Sequence, residues 1–365
     1  MAISRQKWLT LLKTRSIYEV EGDLDAVADC PSSTTERLIL GAYFLMVGRS
    51  VLARGLTTKT LTSAILFALL IGRVHAQTIE DGIMLTKGNL FSGNIYSHDS
   101  WDHYWQGTLN RVNGNLGTVT TQTNTWFANY GVTNRLNVIG MVPYVWTEAS
   151  QGVLSSQKGF QDITIAAKYS IVDRPLTSVG SLRAIVGVVA GIPLTEYNPD
   201  FLPLSIGNQS KRIAARFTLN FQANRGWFLN ASGGHTWRSN VTLDRPYYFT
   251  DDKLFLTDQV KMPKVFDEVV SAGYFKHGLM TDLSLWQQWT QGGGDIRRQD
   301  APFISNRMNY SKLRAMAMVP VPKLRNLAFQ FAYTHTLDGR NVGESKTFTT
   351  ALLYTVHFHG RSPRQ

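Results

Sequence analysis

The stretch Ile213-Ala-Ala-Arg-Phe-Thr-Leu-Asn-Phe-Gln-Ala-Asn224 decides the fold, because apolar and polar residues alternate along it. Its odd positions are all apolar, and its even positions are polar apart from Ala214. Successive side chains of an extended strand point to opposite faces, so this period of two creates one apolar and one polar face. A helix would instead distribute Arg216 and Phe217 around its whole surface. The stretch therefore predicts a strand in a wall between lipid and water.

The same alternation recurs along the chain and predicts twelve strands. Gln161–Ile171 and Leu327–Asp338 repeat it clearly, whereas the first and eighth strands alternate poorly. The predicted strands have about 10 to 13 residues, which suits tilted transmembrane strands and is long for a soluble β-sandwich. They are Leu90–Trp101, Val119–Tyr130, Leu136–Thr147, Gln161–Val172, Leu182–Leu194, Arg212–Asn224, Trp227–Asn240, Val265–Lys276, Leu279–Thr290, Lys312–Val321, Leu327–Leu337 and Thr347–His359.

The connections between the predicted strands alternate in length. Tight turns follow strands two, six, eight and ten, and long polar segments follow strands three, five, seven and nine. Outer-membrane barrels have this arrangement, with short turns facing the periplasm and long loops facing outside. An aromatic residue, Phe358, lies near the end of the last strand, as is typical of such barrels. We therefore predict an all-β fold, a closed antiparallel transmembrane β-barrel in the outer membrane of a Gram-negative bacterium.

A targeting segment precedes the first strand. Arg54 and Lys59 form a positive region before the apolar stretch Leu61–Gly72, and Val74-His75-Ala76 supplies the small residues of a cleavage site. This pattern predicts a secretory signal peptide. A transmembrane anchor is the alternative, but the apolar stretch is too short, because spanning needs about 20 residues. We expect a non-native or unstructured leader at residues 1–45, the signal peptide at 46–76 and the barrel at 77–365.

Composition and charge narrow the function classes. The chain has 365 residues, a net charge of +11 and a mean hydropathy of -0.13. Such hydropathy fits a barrel, in which only every second strand residue need be apolar. The basic residues are scattered, whereas nucleic-acid binding requires a cluster, so we expect no nucleic-acid partner. The single cysteine, Cys30, lies before the predicted cleavage site, so the mature chain would have no disulfide, thiolate metal site or cysteine nucleophile.

Two segments carry a family resemblance. The first is Tyr130-Gly-Val-Thr-Asn-Arg-Leu-Asn-Val138 with Val142-Pro143-Tyr144, and the second is Gly159-Phe-Gln-Asp-Ile-Thr-Ile-Ala-Ala-Lys-Tyr169 with Gly191-Ile-Pro193. These segments resemble the "MetA-pathway of phenol degradation" family of outer-membrane proteins. The resemblance implies a barrel with a transporter-like role and an association with aromatic catabolism. It identifies no active site.

The sequence lacks the common catalytic and cofactor motifs. There is no His-Glu-x-x-His, Gly-x-Ser-x-Gly or phosphate-binding glycine loop, so we expect no enzyme activity, no catalytic residues and no cofactor. Gly292 to Gly294 predict a flexible loop. His357 and His359 share one face of the last strand, but a metal site needs further ligands. We therefore favour solvated histidines over a metal site.

Polar residues on the inward face of the predicted strands are the candidate functional residues. Charge on the lipid face costs about 2 to 4 kcal/mol at mid-bilayer, so these residues are expected to line the lumen. Two interpretations remain: the basic residues favour anionic or polar solutes, or they pair with acidic residues and fill the lumen. The candidates are Asp162, Lys168, Arg183, Arg212, Arg216, Asn220, Gln222, Asn230, Arg238, Asp282 and Arg314.

Three functions follow from the predicted barrel. The first is a channel or transporter-like protein for small solutes, aromatic or anionic ones among them. The second is a non-conducting structural or binding barrel that uses its long loops, Leu194–Lys211 and Val241–Lys264. The third is a lipid-facing hydrolase, for which His235 lies on the predicted lipid face without an evident serine partner. The partners expected are outer-membrane lipid, a small-molecule solute and the barrel-assembly machinery.

Overall fold

The structure, a computed structural model, describes residues 78–176, 178–297, 301–322, 324 and 326–358. The predicted leader and signal peptide lie outside these residues. Among the residues described, no helix is long and apolar enough to span a membrane.

Twelve long strands form the wall of the molecule. They have 12 to 15 residues each. The predicted strand limits differ most from the observed ones in the fourth strand, which continues beyond its predicted end to Leu176. They are β1 (Asn89–Trp101), β2 (Val119–Gly131), β3 (Leu136–Ala149), β4 (Asp162–Leu176), β5 (Gly180–Pro193), β6 (Arg212–Ala223), β7 (Trp227–Arg238), β8 (Lys264–Lys276), β9 (Leu279–Gln291), β10 (Asn309–Pro320), β11 (Leu327–Arg340) and β12 (Lys346–His357).

The strands close into a barrel. Each strand pairs antiparallel with the next, from β2 through β12. The ring is completed by β1, in which Leu90 lies opposite Tyr130 of β2 and Val356 of β12. A closed ring leaves no strand edge, so every wall strand has hydrogen-bonding neighbours on both sides. The predicted twelve-stranded closed antiparallel barrel is confirmed.

The two faces of the wall differ as the alternation predicts. Along β6, Ile213 and Phe217 are 53% and 46% exposed on the outer surface, whereas Thr218 and Asn220 are buried on the lumen side. The outer face of β1 and β2 is more polar. Here Tyr96 lies opposite Asn124, and its hydroxyl donates a hydrogen bond of 2.6 Å to Gln122. Polar residues on both faces explain why the first strand alternates poorly in sequence.

The two ends of the barrel are built differently. Short turns join the strands at one end, which we call the short-turn end, and longer connections join them at the long-loop end. The long-loop end carries short strand pairs, His103–Gln106 with Leu109–Val112, Val241–Thr242 with Gln259–Val260, and Tyr248–Thr250 with Lys253–Phe255. A further strand, Gln157–Phe160, pairs with β3. The loops also have an apolar core of their own, formed by Val241, Leu243, Tyr248, Val260, Met262, Phe303 and Ile304.

Candidate functional site

Residues 78–85, which we call the plug segment, lie inside the lumen at the short-turn end. Ile79, Ile83 and Leu85 are buried in one apolar cluster with residues of β1–β4, β7 and β9–β12. Because these strands surround the lumen, one short segment can contact them all only from inside. The wall residues of the cluster are Phe91, Phe127, Ile139, Ala166, Phe228, Met280, Met316, Met318, Ala328, Ala332, Ala351 and Leu353.

The ammonium group of Lys168 anchors the plug segment. Lys168 Nζ donates to the carbonyl oxygens of Thr78 at 2.8 Å, Asp81 at 2.7 Å and Ile83 at 3.4 Å, and lies 3.0 Å from Asp81 Oδ1. The Lys168 side chain is only 2% exposed. A buried ammonium is stable only where its donors and its charge are satisfied. The fold of the plug segment supplies both conditions, with converging carbonyl oxygens and one carboxylate.

Further side chains of the wall hold the backbone of the plug segment. Arg183 donates to the Gly82 carbonyl at 3.0 Å, and Asn230 donates to the Glu80 carbonyl at 3.0 Å. A Cβ at Gly82 would lie 2.1 Å from the Cβ of Asn220, so only glycine allows this close approach. These contacts place Lys168, Arg183, Asn220 and Asn230 at the plug segment, which the sequence interpretation did not anticipate.

Ion pairs occupy the lumen nearer the long-loop end. Arg212 lies 3.3 Å from Asp162 and donates to the Thr164 hydroxyl at 2.8 Å. Arg216 pairs with Asp267 and lies 3.1 Å from the Ser232 hydroxyl. At the opposite end, Arg183 also pairs with Asp173 at 2.9 Å.

The remaining candidates have other environments. Asp282 accepts a hydrogen bond of 2.8 Å from Ser284, and Gln222 donates to the Gly226 carbonyl at 3.1 Å. Arg314 lies 5.7 Å from the centre of the Trp286 ring, an arrangement that stabilises a cation. Arg238 lies directly opposite Arg212. The period-two alternation of the strands assigns these residues to the same face as the ion pairs of the lumen.

One lumen-facing cation was missed from the sequence. Lys312 lies on β10 two residues before Arg314, and its ammonium is 4.7 Å from the centre of the Tyr310 ring. The sequence contains the pattern that identifies Lys312, because residues two apart in a strand share a face and Arg314 is assigned to the lumen.

Tyr197 connects a long loop to this network. Its hydroxyl donates to Asp162 at 2.7 Å and accepts from the Gln209 backbone N–H at 3.0 Å. Burial and the neighbouring Asp162 carboxylate raise the pKa of Tyr197 well above its ordinary value. The phenol therefore stays protonated at neutral pH and remains a donor to Asp162.

A pocket of about 530 Å³ opens among the long loops. Tyr104, Leu154, Leu202, Pro203 and Ile296 give it an apolar and aromatic lining, and it also includes Asn113, Asn115, Asp200 and Arg297. Apolar walls with a few polar groups are usual in sites that bind small molecules.

Two of the histidines considered from the sequence, His235 and His357, have the following surroundings in the structure. His235 lies opposite Ala215 and Phe266 and packs edge-on against Trp237, so no serine stands across from it. His357 Nδ1 lies 2.7 Å from Asn89 Oδ1, and its predicted companion His359 falls outside the described residues. No group of three or more potential metal ligands occurs in the described part of the chain.

Comparison with known proteins agrees with the barrel. A family model described as "Putative MetA-pathway of phenol degradation" matches residues 106–352. The crystal structure of the COG4313 outer membrane channel from Pseudomonas putida F1 is similar, with a TM-score of 0.60, 14% identity and coverage of 78% of this chain and 100% of that chain. At this identity the likeness shows a shared fold.

Two other outer-membrane structures are more distant. The translocator domain of autotransporter NalP from Neisseria meningitidis gives a TM-score of 0.39 at 9% identity, covering 87% of this chain and 97% of that chain. The outer membrane protein OprD from Pseudomonas aeruginosa gives 0.34 at 8% identity, covering 80% and 100%. No curated protein matches the chain in sequence. The molecule is an outer-membrane β-barrel, as predicted.

Proposed function

Because the chain belongs to the "MetA-pathway of phenol degradation" family, we propose that it is an outer-membrane channel for small solutes. One observation supports the proposal: a segment that is not part of the wall lies inside the lumen. The plug segment ends before β1 begins at Asn89 and forms no strand. It can therefore leave the lumen without breaking any strand pairing, and a passage would open behind it.

The solutes we propose are small aromatic molecules, with anionic ones favoured. The apolar pocket among the long loops would receive an aromatic ring, and the name of the family supports an association with aromatic compounds. Deeper in the lumen, Lys312 and Arg314 have no carboxylate in ion-pair contact among the residues described. A solute that carries negative charge would be attracted to these cations, since the lumen is less polar than water.

A non-conducting binding barrel is the second candidate. It is favoured by the apolar packing around Ile79, Ile83 and Leu85 in the short-turn half of the lumen. In that case the long loops would bind ligands while the plug segment stayed in place. A hydrolase is not favoured, because the residues opposite His235 are Ala215 and Phe266 and neither can act as a nucleophile.

Solute flux into liposomes tests the channel and separates it from the binding barrel. We expect reconstituted protein to admit benzoate and benzyl alcohol faster than the sugar arabinose, with benzoate ahead of the alcohol. Equal rates for all three would remove the proposed solute preference. No flux above that of empty liposomes, combined with saturable benzoate binding, would favour the binding barrel instead.

A further inference from the structure

A second cavity, of about 720 Å³, lies at the long-loop end under the strand pair Tyr248–Thr250 and Lys253–Phe255. We call it the basic cleft. Its lining combines three cations with three aromatic rings: Arg238, Lys261, Lys264, Trp237, Tyr248 and Phe255. The neighbouring cleft between the loops that begin after β5 and β7 has a different balance, with Glu196 and Asp244 against Lys211.

The lining of the basic cleft contains more cations than acidic residues. No ion pair of the described residues includes Arg238, Lys261 or Lys264. Asp251, the acidic residue of the lining, already lies 3.4 Å from Arg297. On the other side of Arg238 the facing residue is Arg212, another cation. The cleft therefore has an excess of positive charge that an anion would offset.

The aromatic wall of the cleft is held in place by packing. Tyr248 stacks on Phe255 at 4.9 Å between ring centres and on Phe303 at 5.1 Å. Tyr248 and Phe303 also belong to the apolar core of the loops. A wall fixed in this way loses little freedom when a ligand binds.

Two residues of the glycine run that forms another wall, Gly293 and Gly294, lie close to the neighbouring loops. Gly293 has a positive φ of 85°, and a Cβ there would lie 2.1 Å from the Ser305 carbonyl oxygen. A Cβ at Gly294 would lie 2.8 Å from the side chain of Asp251. Glycine thus lets the two loops approach each other and close the cleft.

We propose that the basic cleft binds an organic anion, a carboxylate or phosphate group carried on an apolar or aromatic body. The anionic group would lie among Arg238, Lys261 and Lys264, and the apolar body would contact the aromatic wall. Free small molecules and the phosphorylated lipids of the outer leaflet both offer this chemistry. The site lies outside the plug segment and the ion pairs of the lumen, so it does not depend on whether the barrel conducts.

Titration of tryptophan fluorescence in a neutral detergent tests the site, because Trp237 lines the cleft. Benzoate is expected to quench saturably, and the neutral benzyl alcohol about tenfold more weakly. The double substitution Lys261→Gln and Lys264→Gln should weaken benzoate binding about tenfold or more. Lys253→Gln is the matched control, since Lys253 is exposed beside the cleft and does not line it. Trp237→Phe should remove the quench, and Arg238→Gln is an independent second variant.

The outcomes are distinct. Binding of benzoate that depends on the two lysines supports a free organic anion. Lysine-dependent binding of inorganic phosphate, with lipopolysaccharide retained in native mass spectra only by the wild type, supports the lipid source. Equal affinity for benzoate and benzyl alcohol, or unchanged benzoate binding in the double variant, would overturn the proposal. Planar-bilayer conductance of the same samples reports on the channel separately, so a silent barrel that still binds benzoate would contradict the proposed function alone.

Discussion

The two halves of the lumen share one wall but differ in what the wall presents. In the half near the short turns, residues such as Phe91, Ile139 and Met318 are buried and pack in one apolar cluster with the plug segment. In the half near the long loops, Arg212 and Arg216 pair with carboxylates two strands away along the wall. The first half is held together by apolar contacts. The second is held together by ion pairs between charged side chains.

A single strand shows where the change occurs. Along β10, Lys312 and Arg314 face the lumen on the long-loop side, and Met316 and Met318 face it on the short-turn side. Inward methionines would be unfavourable in a water-filled pore, because their apolar surface would contact water. They are favourable here because the plug segment covers them. The inward apolar side chains of the wall are therefore suited to contact with the plug segment, which is not one of the wall strands.

Deletion of residues 78–85 should change the conductance of the barrel more than any of the substitutions considered for the two halves of the lumen. It removes Ile79, Ile83 and Leu85 from the apolar cluster and leaves the pairing of β1 with β2 and β12 intact. We expect a steady conductance in planar bilayers where the wild type is closed or opens briefly. A folded deletion variant with wild-type conductance would show that the wall itself, and not the plug segment, closes the lumen.

Lys168→Met tests the polar anchor of the plug segment. The variant leaves the Asp81 carboxylate without its cation at a site where the two side chains are 2% and 15% exposed. Breaking a buried pair costs about 3 to 5 kcal/mol, which would shift the plug equilibrium toward the displaced state by about a hundredfold or more.

The measurement is the open fraction in single-channel records. Lys158→Met is the control, because Lys158 is an exposed lysine of the Gln157–Phe160 strand. Adding Asp81→Asn to Lys168→Met should restore part of the closed state, since a neutral amide tolerates the site better. Identical records for Lys168→Met and Lys158→Met would refute the anchor.

The wall was predictable from the sequence, and the plug segment was not. A strand with one face to lipid must alternate, so positions such as Phe217 and Asn220 reveal their faces without knowledge of their neighbours. The plug segment has no such constraint, because it contacts protein on all sides. Its anchor also depends on backbone carbonyls, which every residue has, and Lys168 is far from Thr78 in the sequence. The sequence showed that Lys168 faces inward but could not show what it holds.

The charged half can be tested through ion selectivity. Arg212→Ala combined with Arg216→Ala removes two positive charges and leaves Asp162 and Asp267 without these partners. We expect a roughly two- to threefold fall in the anion-to-cation permeability ratio, measured as the reversal potential in a salt gradient. The channel background would be the plug deletion, in which currents are large enough to measure.

The matched control changes the same charge outside the lumen. Arg174 and Arg225 are exposed near the short-turn end, so the pair Arg174→Ala and Arg225→Ala should leave selectivity almost unchanged. If the two double variants give the same reversal potential, the lumen arginines have no special part in selecting solutes.

The smallest expected effect concerns the outer end of the charged half, where Arg340 of β11 holds the loop residue Asp295. Arg340 Nε and Nη2 lie 2.7 Å and 2.6 Å from the two carboxylate oxygens, and these hydrogen bonds, with one from Asn341, lower the pKa of Asp295. A lowered pKa means that the contact stabilises the fold fully above the ordinary aspartate pKa of about 3.9 and loses this effect as the pH falls through the lowered value.

Carbon-13 NMR of the Asp295 carboxyl should show this low midpoint. Arg340→Gln should raise the midpoint toward the ordinary value, whereas Arg297→Gln, which removes the partner of Asp251, should not. An ordinary midpoint in the wild type would show that charge does not hold this loop, and the contrast between the two halves would then be confined to the interior of the lumen.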